Sequence, residues 1–288
     1  MKTTKLTISL LLALAMGLGA VSTAVAQSLQ DIVNRGTIRI GYIPSPPGTI
    51  MDPVSGELRG FYVDGMREIA EQMGVEPEFV ETTWGNFVAG LQSGQFDVSI
   101  AGTFATVQRS MVVDFTTPIF YLGYGAIVRT DETRYETLED MNDPDTRIAV
   151  VQGGSAEDFA RRNMPEATII SLDTGNLTAP FVEVMSNRAD VAIEDGYTMS
   201  RFIEQQPSVM NLFEENPYNF TPIAWSVRKG NTDLLSTLNA GVDMLISSGQ
   251  WDALAREYVD GEEATRYINA PNFIAFPRPA NAGTTSEE

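Results

Sequence analysis

Arg109 is the only cation between Arg67 and Arg129. It lies in DVSIAGTFATVQRSMVVDFTTPIF, residues 97–120, where a strand-like run, a tight Ala101-Gly102 turn and a further apolar run follow one another. A guanidinium fork in such a place can grip a carboxylate through two parallel hydrogen bonds. An ordinary surface arginine is the plainer alternative. Ser155 follows Gly153-Gly154 and opens a helical stretch, so its hydroxyl and nearby backbone N–H groups can hold an anion. It can equally be a simple helix cap. Asp195 ends the strand-like NRADVAIED, where a carboxylate can meet an ammonium group or serve as a turn residue satisfied by its own backbone. Trp84, after Thr82-Thr83 at the start of a helix, can cover a ligand or a cation, or pack as a core aromatic. Together these residues offer an anion grip, a cation grip and an aromatic cover, which complements a small zwitterion.

The elements that must position them alternate. Strands are expected at 37–42, 76–81, 96–100 and 124–128. Helices are expected at 62–74, ended by Gly74, at 84–91, and from Thr106 to Met111. The pattern then restarts with strands at 147–151, 168–172 and 191–194. The helices between and after them run from Ser155 to about Asn163, over 177–187 with Pro180 in its first turn, and near 197–204. A late strand at 223–227 precedes amphipathic helices at 233–247 and 251–258. Repeated strand–helix units define an open α/β architecture, and two runs of them define two lobes. The chain crosses between lobes near Ala126–Arg129 and Pro222–Trp225, and ligands of such sheets sit at the carboxyl ends of the strands. The expected organisation is a signal peptide over 1–26, a first lobe from 27–127 and 223–270, a second lobe over 128–222, and a loose tail over 271–288.

Composition narrows the chemistry. The chain of 288 residues has no His and no Cys. A Ser-His-Asp triad, a Cys nucleophile and the usual zinc and haem sites are therefore excluded. No spaced Asp loop for Ca²⁺ occurs, and no cofactor is implied. The formal net charge of -19 argues against nucleic acid and anionic lipid as partners. Lys2 and Lys5, the apolar run from Leu6 to Ala20 and the Ala24-Val25-Ala26 site read as a cleaved secretory leader. No Cys follows to carry a lipid, and no later run is long enough for a membrane span. The expected location is the periplasm.

Over about Leu29 to Tyr258 the chain resembles the family 3 solute-binding proteins of ABC importers, the polar amino-acid type. The stretches that carry the resemblance are GTIRIGYIPSPP, GELRGFYVDGMREIAEQMGV, WGNFVAGLQSGQFDVSIAG, TVQRSMVVDFTTPIF, QGGSAEDFA, NRADVAIEDG and SSGQWDALAREYV. The resemblance implies a two-lobed periplasmic binding protein of type II, with lobes joined by two crossing strands that close on ligand. It also implies that Arg109 binds the ligand's carboxylate with support from Ser155, and that Asp195 binds its α-ammonium near the backbone of Gly102. Trp84 would line the side-chain pocket, and a monomer would deliver its ligand to a permease in the inner membrane. The chain departs from the pattern at Thr103-Phe104, where polar members often carry Ser or Thr in place of the aromatic. It departs again at Gly48, where an aromatic is expected after the proline pair, and at Gln152, where some members have a cation. These changes favour a flatter or less polar ligand. Phe104 also resembles ectoine-binding members, although Ser45 stands where those carry an acid.

An enzyme reading remains, because periplasmic cyclohexadienyl (arogenate) dehydratases resemble the same family and GGSAEDFARRN resembles their second-lobe turn. Such an enzyme needs a general acid in the cleft. Glu157 and Glu194 are the candidates, but strand alternation turns Glu194 to the face opposite Asp195.

Overall fold

The computed structural model describes residues 29–214 and 216–259, so the expected leader and tail lie outside the described residues. Two parallel β-wings flank an antiparallel centre. The strands are β1 (Thr37–Tyr42), β2 (Ile50–Met51), β3 (Leu58–Arg59), β4 (Glu76–Glu81), β5 (Val98–Phe104), β6 (Val113–Phe115), β7 (Phe120–Arg129), β8 (Arg147–Val151), β9 (Thr168–Leu172), β10 (Val191–Asp195), β11 (Val209–Asn211) and β12 (Tyr218–Arg228). The main sheet runs β4-β1-β5-β12-β7-β10-β8-β9, and β2 and β3 form a separate small hairpin. Within each wing the strands pair in parallel. β12 and β7 pair antiparallel with each other and with the inner strand of each wing. This is the two-lobed α/β architecture with two crossing strands.

Helices cover the wings because their apolar residues fall on one stripe. Helix Phe61–Met73 buries Phe61, Tyr62, Val63, Met66, Ile69 and Ala70. It ends at Gly74, whose left-handed φ of 68° only glycine adopts without cost. Trp251 closes the far side of the same layer, edge-on to Phe61 at 5.5 Å.

Two sequence expectations are corrected here. Ala101 and Gly102 do not form a turn. They lie inside β5, because β12 pairs with β5 on both sides of them, at Ser99↔Ser226 and Thr103↔Ala224. The helix expected from Trp84 starts instead at Phe87, because the N–H groups of Asn86 and Phe87 both donate to the Thr83 carbonyl at 3.0 Å and form a turn first.

The two wings are tied by the same device. Asp97, just before β5, accepts from the Arg39 N–H of β1 at 2.8 Å, and its own N–H donates to the Arg39 carbonyl at 2.8 Å. Asp190, just before β10, does the same with Arg147 of β8, at 3.0 and 2.8 Å. Guanidinium groups of Arg35 and Arg39 close on Asp97, and those of Arg134 and Arg147 close on Asp190. Burial alone would raise the Asp190 carboxyl, but its Arg147 and Arg134 partners outweigh that and hold it well below the ordinary value. A carboxyl depressed in the folded state stabilises the fold above its unfolded pKa, and that stabilisation is lost as pH falls. Replacing Asp190 with Asn is expected to cost about 1.5 to 3 kcal/mol, because the buried carboxylate's charge-assisted hydrogen bonds are lost, while the half-exposed Arg134 and Arg147 groups are rehydrated. Urea unfolding at neutral pH reads this as a lower midpoint, and the deficit against wild type should shrink below about pH 4.

Candidate functional site

The site is built where the two wings meet across β7 and β12. β7 pairs with β12 from Phe120 to Leu122 and at Tyr124, and with β10 from Tyr124 to Ile127. The handover at Gly123 to Tyr124 places the buried Tyr124 ring between the two wings. That ring stacks on Phe104 at 4.7 Å and meets Phe159 of the second wing at 4.7 Å.

A cavity lies beside these rings. Its wall includes Trp84, Gly102 and Phe104 from the first wing, and Ser155, Glu194 and Asp195 from the second. The structure thus brings together five of the six residues singled out in the sequence: Trp84, Gly102, Phe104, Ser155 and Asp195. Arg109 lies outside the wall. It is 6% exposed, with Nη2 donating to the Gly153 carbonyl at 2.9 Å and Nη1 to the Phe104 carbonyl at 3.4 Å. Its guanidinium faces the Phe87 ring at 5.5 Å. The first contact bridges the wings, so backbone carbonyls occupy the fork that a ligand carboxylate would need. Burial lowers the Arg109 pKa, and the charges of Asp158 and Glu194 oppose that.

Ser155 is the first helical residue of Ser155–Asn163, and Gly154 is the cap. Its hydroxyl sits beside that of Tyr124. Asp195 does cap its helix, Gly196–Ile203: Oδ1 accepts from the Thr198 N–H at 2.8 Å and Oδ2 from the Thr198 hydroxyl at 2.7 Å. Burial raises the Asp195 carboxyl, and the Thr198 hydrogen bonds oppose the rise. The Trp84 indole N–H is buried with no hydrogen-bond partner among the described residues.

Glu194 is corrected. Strand alternation places it opposite Asp195, yet both line the cavity. Asp195 is the last residue of β10 and the cap of the next helix, so the chain already leaves the pleat there and the alternation stops. One Glu194 oxygen accepts from the Asp195 N–H at 3.1 Å. Burial, then the neighbouring Asp195, pushes its carboxyl up to about 8. Glu157 is the opposite case: burial would raise it, but Ser171, the Gly153 N–H and Arg161 outweigh that and hold it below the ordinary value.

Sequence reasoning also missed Tyr62. It leaves the first turn of helix Phe61–Met73, lies nearly parallel to Phe120, and lines the same cavity. A Cβ on Gly48 or on Gly102 would collide with it, so those two glycines make its slot. Burial raises the Tyr62 pKa well above its ordinary value, with Asp195 adding to the effect. The signal that could have found it is the pair of glycines facing one aromatic, which needs the fold to be seen.

Among the described residues no group of three or more acidic side chains could hold a metal ion, and no helix is long and apolar enough to cross a membrane. A buried guanidinium and two buried carboxyls flanking an aromatic cavity between two α/β wings define a two-lobed binding protein for small solutes. Over residues 38–261 the sequence matches the bacterial extracellular solute-binding proteins, family 3, and the chain belongs to that family. It is similar to the L-cystine-binding protein TcyJ of Escherichia coli K12, at 24% identity over 88% of this chain and 94% of that one. It is also similar to the cyclohexadienyl dehydratase of Pseudomonas aeruginosa PAO1, at 25% identity over 68% and 73%. Among solved structures it resembles the ancestral amino acid-binding protein AncCDT-1, described as a precursor of cyclohexadienyl dehydratase. The TM-score is 0.71 at 30% identity, covering 81% of this chain and 99% of that one.

Proposed function

We propose that this protein captures an amino acid between its lobes and presents it to an ABC importer. The observation that carries the reading is a cavity between the wings lined by aromatic rings and the buried Asp195 carboxyl, with the buried Arg109 guanidinium behind its wall reaching across to the Gly153 carbonyl of the second wing. The ligand's carboxylate displaces the Gly153 carbonyl from the Arg109 fork, with the Ser155 hydroxyl beside it. Its ammonium meets Asp195 near the Gly102 backbone, and Trp84 and Phe104 cover the side chain. The lobes, residues 27–127 with 223–270 and residues 128–222, open and close by bending β7 and β12, and ligand favours the closed state. The protein acts as a periplasmic monomer, exported by the leader at its start, and the closed form is what the permease recognises.

The reading is tested by calorimetric titration of refolded, ligand-free protein with single amino acids. Saturable binding at one site is expected, with stabilisation against heat at the same ligand. Absence of binding to every amino acid would overturn it. One observation favours a second reading, an eliminating enzyme: Glu194 lines the cavity, and burial and the neighbouring Asp195 push its carboxyl up to about 8. Turnover of arogenate or prephenate that is abolished in Glu194→Gln would establish that reading in place of the first. We expect no turnover.

A further inference from the structure

The amino-acid reading leaves one acidic group in the cleft unexplained. Arg109 supplies one positive group, and Glu194 and Asp195 supply two acidic ones. A zwitterion pairs with Arg109 and Asp195 and leaves Glu194 unused. The two acids are also held differently. Both Asp195 oxygens accept hydrogen bonds, from the Thr198 N–H and the Thr198 hydroxyl, which fixes Asp195 as the ionised partner. Glu194 is 5% exposed, and one hydrogen bond reaches it, from the Asp195 N–H. Its other oxygen has no partner among the described residues, and the residue borders the cavity. Trp84, Phe104 and Tyr62 border the same cavity, and aromatic rings attract cations as well as cover apolar groups.

We propose that Glu194 makes this cleft selective for an amino acid with a second positive charge, a side-chain ammonium or guanidinium, held between the Glu194 carboxylate and the aromatic wall. The proposal rests on the amino-acid reading above. With no such ligand present, Glu194 keeps its proton, because burial and Asp195 oppose its ionisation. A ligand of net charge +1 favours the ionised form, and the Glu194 proton leaves to solvent as it binds. The other groups that face Glu194 do not answer for this titration. Burial raises the Tyr62 and Tyr124 hydroxyls above their ordinary values, so both stay neutral through the window. Arg109 stays charged. Asp195 titrates as a pair with Glu194, and its hydrogen bonds leave the shared proton on Glu194.

The sign follows from a group that must lose its proton for binding. Affinity for the cationic ligand rises with pH below about 8 and flattens above it. Between pH 6 and pH 7 the gain is roughly tenfold. The test is calorimetric titration of the full mature chain with arginine, lysine and ornithine, against glutamine, leucine and cystine. Running each in two buffers of different ionisation heat at pH 7 counts the protons released. The expected result is at least tenfold tighter binding of a cationic amino acid, with close to one proton released. Glu194→Gln, which keeps the shape and the acceptor oxygen, should lose both the proton release and the pH dependence. The wild-type proton count stands by itself if that variant fails to fold. A neutral amino acid bound as tightly as any cationic one, or cationic binding with no proton released, would overturn the inference and leave the receptor reading intact. Binding of no amino acid at all would remove both.

Discussion

Arg109→Ala is expected to remove measurable amino-acid binding. The guanidinium is 6% exposed and is the positive group we assign to the ligand's carboxylate. Removing it leaves that carboxylate buried without a charged partner, which costs about 2 to 5 kcal/mol, or roughly thirtyfold or more in affinity. The same change should weaken the ligand-free contact between the wings, because the Gly153 carbonyl loses its donor at 2.9 Å. Two readouts separate these effects. Titration calorimetry gives the affinity, and small-angle scattering of the ligand-free protein gives the separation of the lobes. Arg109→Lys keeps the charge but cannot reach the Phe104 and Gly153 carbonyls with one planar fork, so it should restore only part of the binding. Normal affinity in Arg109→Ala would move the carboxylate grip elsewhere in the cleft.

Several strands of the outer wings were legible because they are short, mostly β-branched runs bounded by turn residues, as in Arg147–Val151 and Thr168–Leu172. The crossing strands were legible in place but not in extent. β7 and β12 reach ten and eleven residues, twice the length read from their apolar cores. Their extra residues are paired with partners about a hundred positions away, and local composition holds no trace of such pairing. Gly102 misled in a related way. Read locally, Ala101-Gly102 looks like a turn, whereas the glycine is needed because the Tyr62 ring fills the space over a continuous strand. Ser155 and Asp195 were legible as site candidates because each begins or ends an element at the same edge of the sheet, whereas Trp84 was legible by residue type and Phe104 through the family resemblance. Glu194 was named as a candidate acid but turned to the wrong face, because period-two alternation holds only while the chain remains in the strand, and Asp195 is already a helix cap.

That double duty of Asp195 makes its replacement the sharper experiment. The residue holds the start of helix Gly196–Ile203 through Thr198, and we assign to it the ligand's α-ammonium. Asp195→Asn separates the two roles. Asn is as good a cap as Asp, since its side-chain oxygen can still accept from the Thr198 N–H, so the fold should lose only a few tenths of a kcal/mol. Removing the negative charge also relieves its repulsion of Glu194, so the Glu194 carboxyl should move down towards its ordinary value. For binding, the ammonium loses its ionised partner, and the expected cost is about 2 kcal/mol, roughly thirtyfold. Denaturant midpoints and calorimetric affinity, measured on one preparation, should therefore diverge: near-normal stability with strongly weakened binding. Asp195→Ala should lose both, with about 1 kcal/mol taken from the fold by the missing cap. An N-acetylated ligand, which carries no ammonium, should bind the wild type and Asp195→Asn about equally. If Asp195→Asn binds free amino acids as the wild type does, Asp195 is only a helix cap. The ammonium then belongs with Glu194, which borders the same cavity.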